Sequence, residues 1–227
     1  MPGVPVLLVH GFASSFERNW REPGWVDILA EEGREVIGLD LPGHGEADKP
    51  HDPAAYIGLE RSIARVLPAG GPVDAVGFSL GAGLLLRLAC DGPGLFRRIV
   101  VGGVGESLLR DSDPEPAARA VETGETRPGD PAAVQAFARF ARAPGNDPVA
   151  LAACLRRPAA PLAASDLAGV DVPILVVLGD RDFAGPAAPL VQALAYATLV
   201  SLAGADHFST PRDFRFIDAA VEFLRQP

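Results

Sequence analysis

A chain of 227 residues, 48% hydrophobic and 22% charged, is long enough to bury one good core and reads as one domain with an insertion. Its net charge of −9 argues against nucleic acid and anionic membrane as partners, since neither welcomes an acidic surface. No Cys/His cluster has metal-ligand spacing, so neither a metal nor another cofactor is expected; Cys90 and Cys154, both in apolar helical contexts, read as buried small hydrophobes.

Residues 4–9 (VPVLLV) are a continuous apolar run, the pattern of a strand buried on both faces of a parallel sheet. The run is too short, and lacks the basic flank, for a signal peptide. Nothing else approaches the length of a bilayer span, so the expected location is the cytoplasm. His10-Gly11-Phe12 follows. Gly11 permits a tight turn that leaves the Phe12 N–H pointing into the cleft above the strand ends, and the His10 ring is expected to hold the loop through a backbone hydrogen bond. Trp25, Ile28 and Leu29 mark an amphipathic helix closed by Gly33. Residues 35–39 form the next strand, ending in Asp40-Leu41-Pro42-Gly43-His44-Gly45, where Asp40 and His44 are expected to cap loop amides. Residues 53–67 suggest a helix.

Residues 73–78 are another apolar strand and residues 80–90 an apolar helix, stopped by Gly92. Between them lies Gly77-Phe78-Ser79-Leu80-Gly81. A serine in such a strand–turn–helix sits on a strained bend with its hydroxyl above the sheet edge. Side chains two residues to either side would collide with the neighbouring strand or helix, and glycine occupies both places. The Leu80 N–H stands at a helix N-terminus, where it can bind a developing oxyanion. The pentapeptide alone is weak evidence; its setting, and partners later in the chain, strengthen it.

Residues 98–104 read as a strand, and residues 173–178 and 198–202 as two more. Alternation of strands and helices gives an α/β fold with a mostly parallel sheet. Residues 106–171 carry no strand signal. Short helices open there at Asp130-Pro131 and Asp147-Pro148, with Val134, Phe137, Phe140, Leu151 and Leu155 as apolar positions. This reads as a helical lid over the strand ends, with Phe137, Phe140, Leu151 and Leu155 as candidate substrate-binding residues. Arg156 and Arg157 lie near its exit, and residues 158–161 with Gly169 offer a return hinge. Thr210-Pro211 is a good N-cap and first-turn pair for a final helix.

A serine hydroxyl needs a base to take its proton, and the base needs an acceptor to fix its tautomer. His207, after the last strand, is the candidate base, and Asp182, in Gly179-Asp180-Arg181-Asp182, the candidate acid. Glu106, after the preceding strand, is a rival for the acid, and Asp180 is expected to cap its own turn.

The order Ser79…Asp182…His207 resembles that of the α/β-hydrolase superfamily. The resemblance spans nearly the whole chain, through His10-Gly11-Phe12, residues 40–45, the Gly77–Gly81 elbow, residues 179–182 and Asp206-His207, and is nearest the lid-bearing esterase/lipase-like branch. It implies an α/β-hydrolase fold with core residues 1–105 and 170–227 and lid residues 106–169, with Phe12 and Leu80 as oxyanion donors. Two departures stand out. The sheet is expected to start at what the resemblance makes the family's third strand, and Ala47 replaces the serine usual in the Gly-His-Gly loop. The expected function is a serine hydrolase cleaving an ester, thioester or lactone of a small to medium apolar acyl substrate through an acyl-enzyme intermediate. The alternatives are a carbon–carbon hydrolase, a cofactor-free haloperoxidase or lyase, or a non-catalytic ligand-binding protein. The oligomeric state is not legible.

Overall fold

The computed structural model describes residues 3–226; residues 1, 2 and 227, counted with the core above, lie outside the described part. Six strands, β1 (Val6–Val9), β2 (Val36–Gly38), β3 (Val73–Phe78), β4 (Phe96–Gly102), β5 (Ile174–Gly179) and β6 (Ala197–Leu202), form one sheet in the order β2-β1-β3-β4-β5-β6. Every pairing is parallel, and β1 lies between its neighbours with Leu7 opposite Ile37 on one side and Ala75 on the other. Among the described residues no strand precedes β1. The helices are α1 (Trp25–Glu31), α2 (Glu60–Ala64), α3 (Leu80–Asp91), α4 (Glu115–Thr123), α5 (Ala132–Phe140), α6 (Pro148–Arg156), α7 (Ala164–Leu167), α8 (Ala188–Ala193) and α9 (Phe214–Arg225). Among the described residues no helix is long and apolar enough to cross a membrane.

Side chains alternate across a strand, so each strand feeds two cores. Leu7, Val9, Ala75, Ile99, Val101 and Val176 pack with Ile63 of α2, Leu85 of α3 and Leu190 of α8. Val6, Leu8, Val76, Val100 and Val177 pack on the other face with Trp20, Trp25 and Phe216. The Trp25 ring meets Trp20 and Phe216 edge-on at centroid distances of 5.1 and 4.9 Å, and its Nε1–H donates to the Pro211 carbonyl at 2.9 Å. Burial of both faces explains why β1, β3 and β5 are unbroken apolar runs save for Asp74.

Several boundaries differ from the sequence-based expectation. The helix expected over residues 53–67 is a 3₁₀ turn, Pro53–Tyr56, followed by α2, because Gly58 between them takes φ 69°. The strand expected over 98–104 runs from Phe96 to Gly102 and ends where Gly103 turns at φ 67°. Thr210-Pro211 opens a 3₁₀ turn, not the final helix; α9 is capped by Asp213, which accepts the Arg215 N–H at 2.9 Å. Asp147 caps α6 as expected, whereas Asp130 does not cap α5 and instead accepts the Arg127 N–H at 2.6 Å. Cys90 and Cys154 are both free thiols; Cys90 is only half-buried, and Cys154 is fully buried, with its thiol pushed up to about 11 by desolvation.

The sheet order reverses at β1: the chain goes outward to β2, then returns past β1 to β3. Loops leaving the carboxyl ends of β1 and β3 therefore diverge and open a crevice between them, the place where such sheets hold ligands. Between β4 and β5 the chain leaves the sheet for a 3₁₀ turn (Glu106–Leu109) and α4–α7. Leu151 and Ala152 of α6, Ala118 and Val121 of α4 and Ala141 pack together, with Phe12 against them, so this helical group sits directly above the β1 loop.

Candidate active site

The elbow after β3 is strained and held. Ser79 has φ 50° and ψ −111°, a conformation costing a side chain-bearing residue on the order of 1–3 kcal/mol. The Ser79 N–H donates to the Gly102 carbonyl at 2.8 Å and the Gly83 N–H to the Ser79 carbonyl at 3.0 Å, fixing the bend from both sides. A Cβ on Gly77 would stand 2.8 Å from the Ala82 amide, and one on Gly81 would fall on the Val9 and His10 carbonyl oxygens. β1, β3 and α3 thus meet at the elbow too closely for any side chain at those two places.

The structure brings Ser79, His207 and Asp182 together at the crevice. The Ser79 hydroxyl donates to His207 Nε2 at 2.9 Å, and His207 Nδ1–H donates to Asp182 Oδ1 and Oδ2 at 2.9 and 3.0 Å. The Asp182 side chain is wholly buried, and the Ala184 N–H donates to its Oδ1 at 2.8 Å, so the carboxylate is anchored independently of the imidazole. The rings of Phe78 and Phe183 flank the imidazole at centroid distances of 5.0 and 4.2 Å. Glu106, the rival carboxylate, turns instead to Arg110 at 2.8 Å. Asp180 does not cap its own turn; it accepts the Gly204 N–H at 2.8 Å and so ties the β5 loop to the β6 loop.

The backbone amides of Phe12 and Leu80 donate to no protein acceptor among the described residues. The Phe12 loop is braced from below. The Gly11 N–H donates to Asn19 Oδ1 at 2.8 Å, His10 Nδ1–H donates to the Gly11 carbonyl at 2.8 Å, and the Leu41 N–H donates to His10 Nε2 at 3.0 Å. Asp40 accepts the Phe16 and Glu46 amides at 2.7 and 2.8 Å. His44 caps no amide: its Nδ1–H donates to the Pro42 carbonyl at 3.0 Å, and its buried Nε2 lies without a partner. Burial, reinforced by His10 and Arg157, pushes His44 down to about 3, and burial also lowers His10, so both rings are neutral.

Two chambers flank the elbow. The larger, about 550 Å³, is lined by Leu80, Tyr56, Leu108, Leu155 and Arg157 among others; the smaller, about 360 Å³, by Phe78, Phe140, Phe208 and Pro144. Phe12, Ser79, Phe137 and His207 line both, so the serine stands at their junction. The Phe137 ring meets Phe12 and Phe183 edge-on at 5.5 Å each, and Phe140 stacks on Phe208 at 4.3 Å. Of the four lid positions expected to bind substrate, Phe137, Phe140 and Leu155 reach a chamber. Leu151 is a correction: it lines neither chamber, because its helical phase turns it into the core formed by α4 and α6. Sequence reasoning missed Asn19, Phe183 and Phe208. Phe183 and Phe208 each directly follow a residue of the hydrogen-bonded trio, a signal that was available; Asn19 carries none. Among the described residues no group of three or more His, Cys, Asp and Glu side chains is placed to hold a metal ion.

Residues 6–219 match the alpha/beta hydrolase family. A pyrrolizixenacetamide deacetylase of Xenorhabdus hominickii is 32% identical over 106 residues, covering 44% of this chain and 38% of that protein. The curated relatives matched are longer, and the chain spans only about a third of the length of each. Among solved structures, the enol-lactonase of Burkholderia xenovorans LB400 superposes with a TM-score of 0.77 at 23% identity, over 99% of this chain and 92% of that one. A bromoperoxidase of Bacillus anthracis superposes with a TM-score of 0.73 at 21% identity, over 99% of this chain and 92% of that one.

Proposed function

This chain belongs to the alpha/beta hydrolase family, and within it we propose that the protein is a serine hydrolase acting on an ester, thioester or lactone bond of a small-molecule substrate. The observation that carries this reading is the continuous hydrogen-bonded line from Ser79 through His207 to a buried Asp182, opening at the junction of two chambers. In the proposed reaction Ser79 Oγ attacks the acyl carbon while its proton passes to His207 Nε2. Asp182 holds the Nδ1–H tautomer and stabilises the imidazolium that forms. The carbonyl oxygen takes up negative charge, which the Phe12 and Leu80 amides receive. Collapse of the adduct expels the alcohol, thiol or tethered alkoxide, protonated by His207. Water, activated by the same imidazole, then releases the acid from the acyl-enzyme.

In this reading residues 106–169 act as a lid, with Phe137, Phe140 and Leu155 excluding water from the acyl carbon. The named relatives, a deacetylase, an enol-lactonase and a bromoperoxidase, differ in activity. Support for acyl cleavage therefore rests on the geometry of the elbow. A fluorophosphonate probe is expected to label Ser79, and a series of p-nitrophenyl esters to be turned over. Ser79→Ala is expected to abolish both with the melting temperature retained. Labelling at another residue, or undiminished turnover by Ser79→Ala, overturns the assignment; labelling without ester turnover points to another use of the same nucleophile.

A further inference from the structure

Two consecutive arginines end α6, and their surroundings differ. Arg156 is neutralised twice over: it donates to both oxygens of Glu115 at 2.9 and 3.0 Å and lies 2.7 Å from Glu122. Arg157 is the C-cap residue, where the backbone leaves the helix at φ −56° and ψ 141°, and its side chain lines the larger chamber beside Ser79. Its Nη1 donates to the Cys154 carbonyl at 2.6 Å, which pins the guanidinium. Among the described residues its Nε and Nη2 have no hydrogen-bond acceptor, and no carboxylate lies within ion-pair reach of it. Glu60 and Asp111 also line the chamber, yet neither pairs with it; of the chamber's other arginines, Arg110 is paired with Glu106, while Arg87, like Arg157, meets only a backbone carbonyl, that of Ala160. Arg157 therefore presents a half-buried cation to the larger of the two chambers that meet at the nucleophile.

We infer that Arg157 is a specificity-determining residue: it recognises a carboxylate on the substrate, remote from the scissile bond, in the larger chamber. The substrate class is then an acyl compound with an anionic end in that chamber and an apolar or aromatic portion in the smaller one, against Phe140 and Phe208. A fixed guanidinium with adjacent N–H groups unused offers the planar pair of donors that a carboxylate accepts. This inference rests on the serine hydrolase reading for its kinetic test but not for its binding test.

The kinetic test compares p-nitrophenyl half-esters of succinic, glutaric and adipic acids with the same acyl chains ending in a carboxamide. The full chain is expected to favour the anionic ester in kcat/KM by about tenfold or more at one chain length. Arg157→Gln brings that ratio to about one and Arg157→Lys keeps part of it, whereas a purely structural C-cap role would lower the melting temperature and leave the ratio alone. In the binding test, glutarate and adipate are titrated calorimetrically into the Ser79→Ala protein with and without Arg157→Gln, and weakening of about tenfold is expected. An anionic-to-neutral ratio of one or less at every length, or a preference and a dicarboxylate affinity that survive Arg157→Gln, overturns the inference. Failure of Ser79 to label sinks the hydrolase reading and leaves the binding test to decide on Arg157.

Discussion

At its amino end β3 carries Asp74, a carboxylate with no exposed surface in a run of Val and Ala; at its carboxyl end the same strand runs into Ser79. Arg97 grips Asp74 through Nε at 2.9 Å and Nη2 at 2.6 Å, and Arg34 joins it on Oδ2. The two arginines then reach the carbonyls of Leu224 and Gln226 at the end of α9, so this polar group locks β3 to β4, to the α1–β2 turn and to α9. Ser79 is the reverse case. Its backbone is forced to positive φ, its hydroxyl faces two cavities, and the side chain that receives its proton is a histidine on a distant loop. One end of the strand uses a buried charge to close the structure; the other holds strain beside open space, where chemistry requires it. Substitutions at the two ends should therefore separate stability from activity.

The largest effect is expected at the open end. Asp182→Asn keeps the volume but offers an N–H where His207 Nδ1–H must donate, favouring the wrong tautomer; kcat/KM should fall by up to ~10⁴-fold while the melting temperature moves little. Glu106→Gln, which disturbs only a surface pair with Arg110, should leave kcat/KM within about twofold. A greater loss from Glu106→Gln than from Asp182→Asn would show that the acid is misassigned.

The two ends were not equally legible in the sequence. The elbow announces itself because its physical demands are local: an apolar strand, small residues at Gly77 and Gly81, and an apolar helix lie within one short stretch. The two-faced core follows from continuous apolar runs, which only a sheet covered on both sides can satisfy, whereas such runs carry no strand order. Asp74 reads as nothing more than an interruption of such a run, because its partners Arg34 and Arg97 come from distant stretches, the turn before β2 and the strand β4. Asn19 is hidden for the same reason. The segment over residues 106–169 was legible as helices but not as faces: Phe137 and Leu151 obey the same apolar spacing, yet one turns to the cavity and the other to the α4–α6 core. Helical periodicity marks a buried stripe and is silent on whether a core or a cavity covers it. Thr210-Pro211 had the chemistry of a helix start, but Asp213, nearer the helix, makes the capping bond.

At the closed end, Asp74→Asn removes the charge that two arginines share in a site with no exposed surface. Breaking a buried pair on one side costs ~3–5 kcal/mol, which for a chain of this size corresponds to a drop of roughly 10 °C in melting temperature. The kcat/KM of the remaining folded protein is expected to stay within about twofold of the parent, since Asp74 lies a strand's length from Ser79. Loss of activity without loss of stability would merge the two ends and refute the comparison.

The smallest effect concerns His10 and His44, which brace the open end from below and are held neutral by burial. In the unfolded chain each titrates near its ordinary value of about 6.5; in the folded protein His44 is depressed to about 3. Below pH 6.5 the unfolded state therefore binds protons that the folded state refuses, and stability falls as pH falls. The contribution is fully present above the unfolded value and is lost progressively down towards pH 3. For His44 alone it amounts to about 1 kcal/mol between pH 7 and 5.5, before carboxylates begin to titrate. Because the ring's Nε2 is partnerless and its Nδ1–H reaches only the Pro42 carbonyl, His44→Gln loses the titration and keeps an amide that can donate to that carbonyl. Denaturant unfolding at pH 7 and 5.5 is the measurement. The parent is expected to lose more stability over this interval than His44→Gln by about 1 kcal/mol. If the two proteins lose the same amount, His44 takes up its proton in the folded state, and the Phe12 loop stands on a charged base instead of a neutral one.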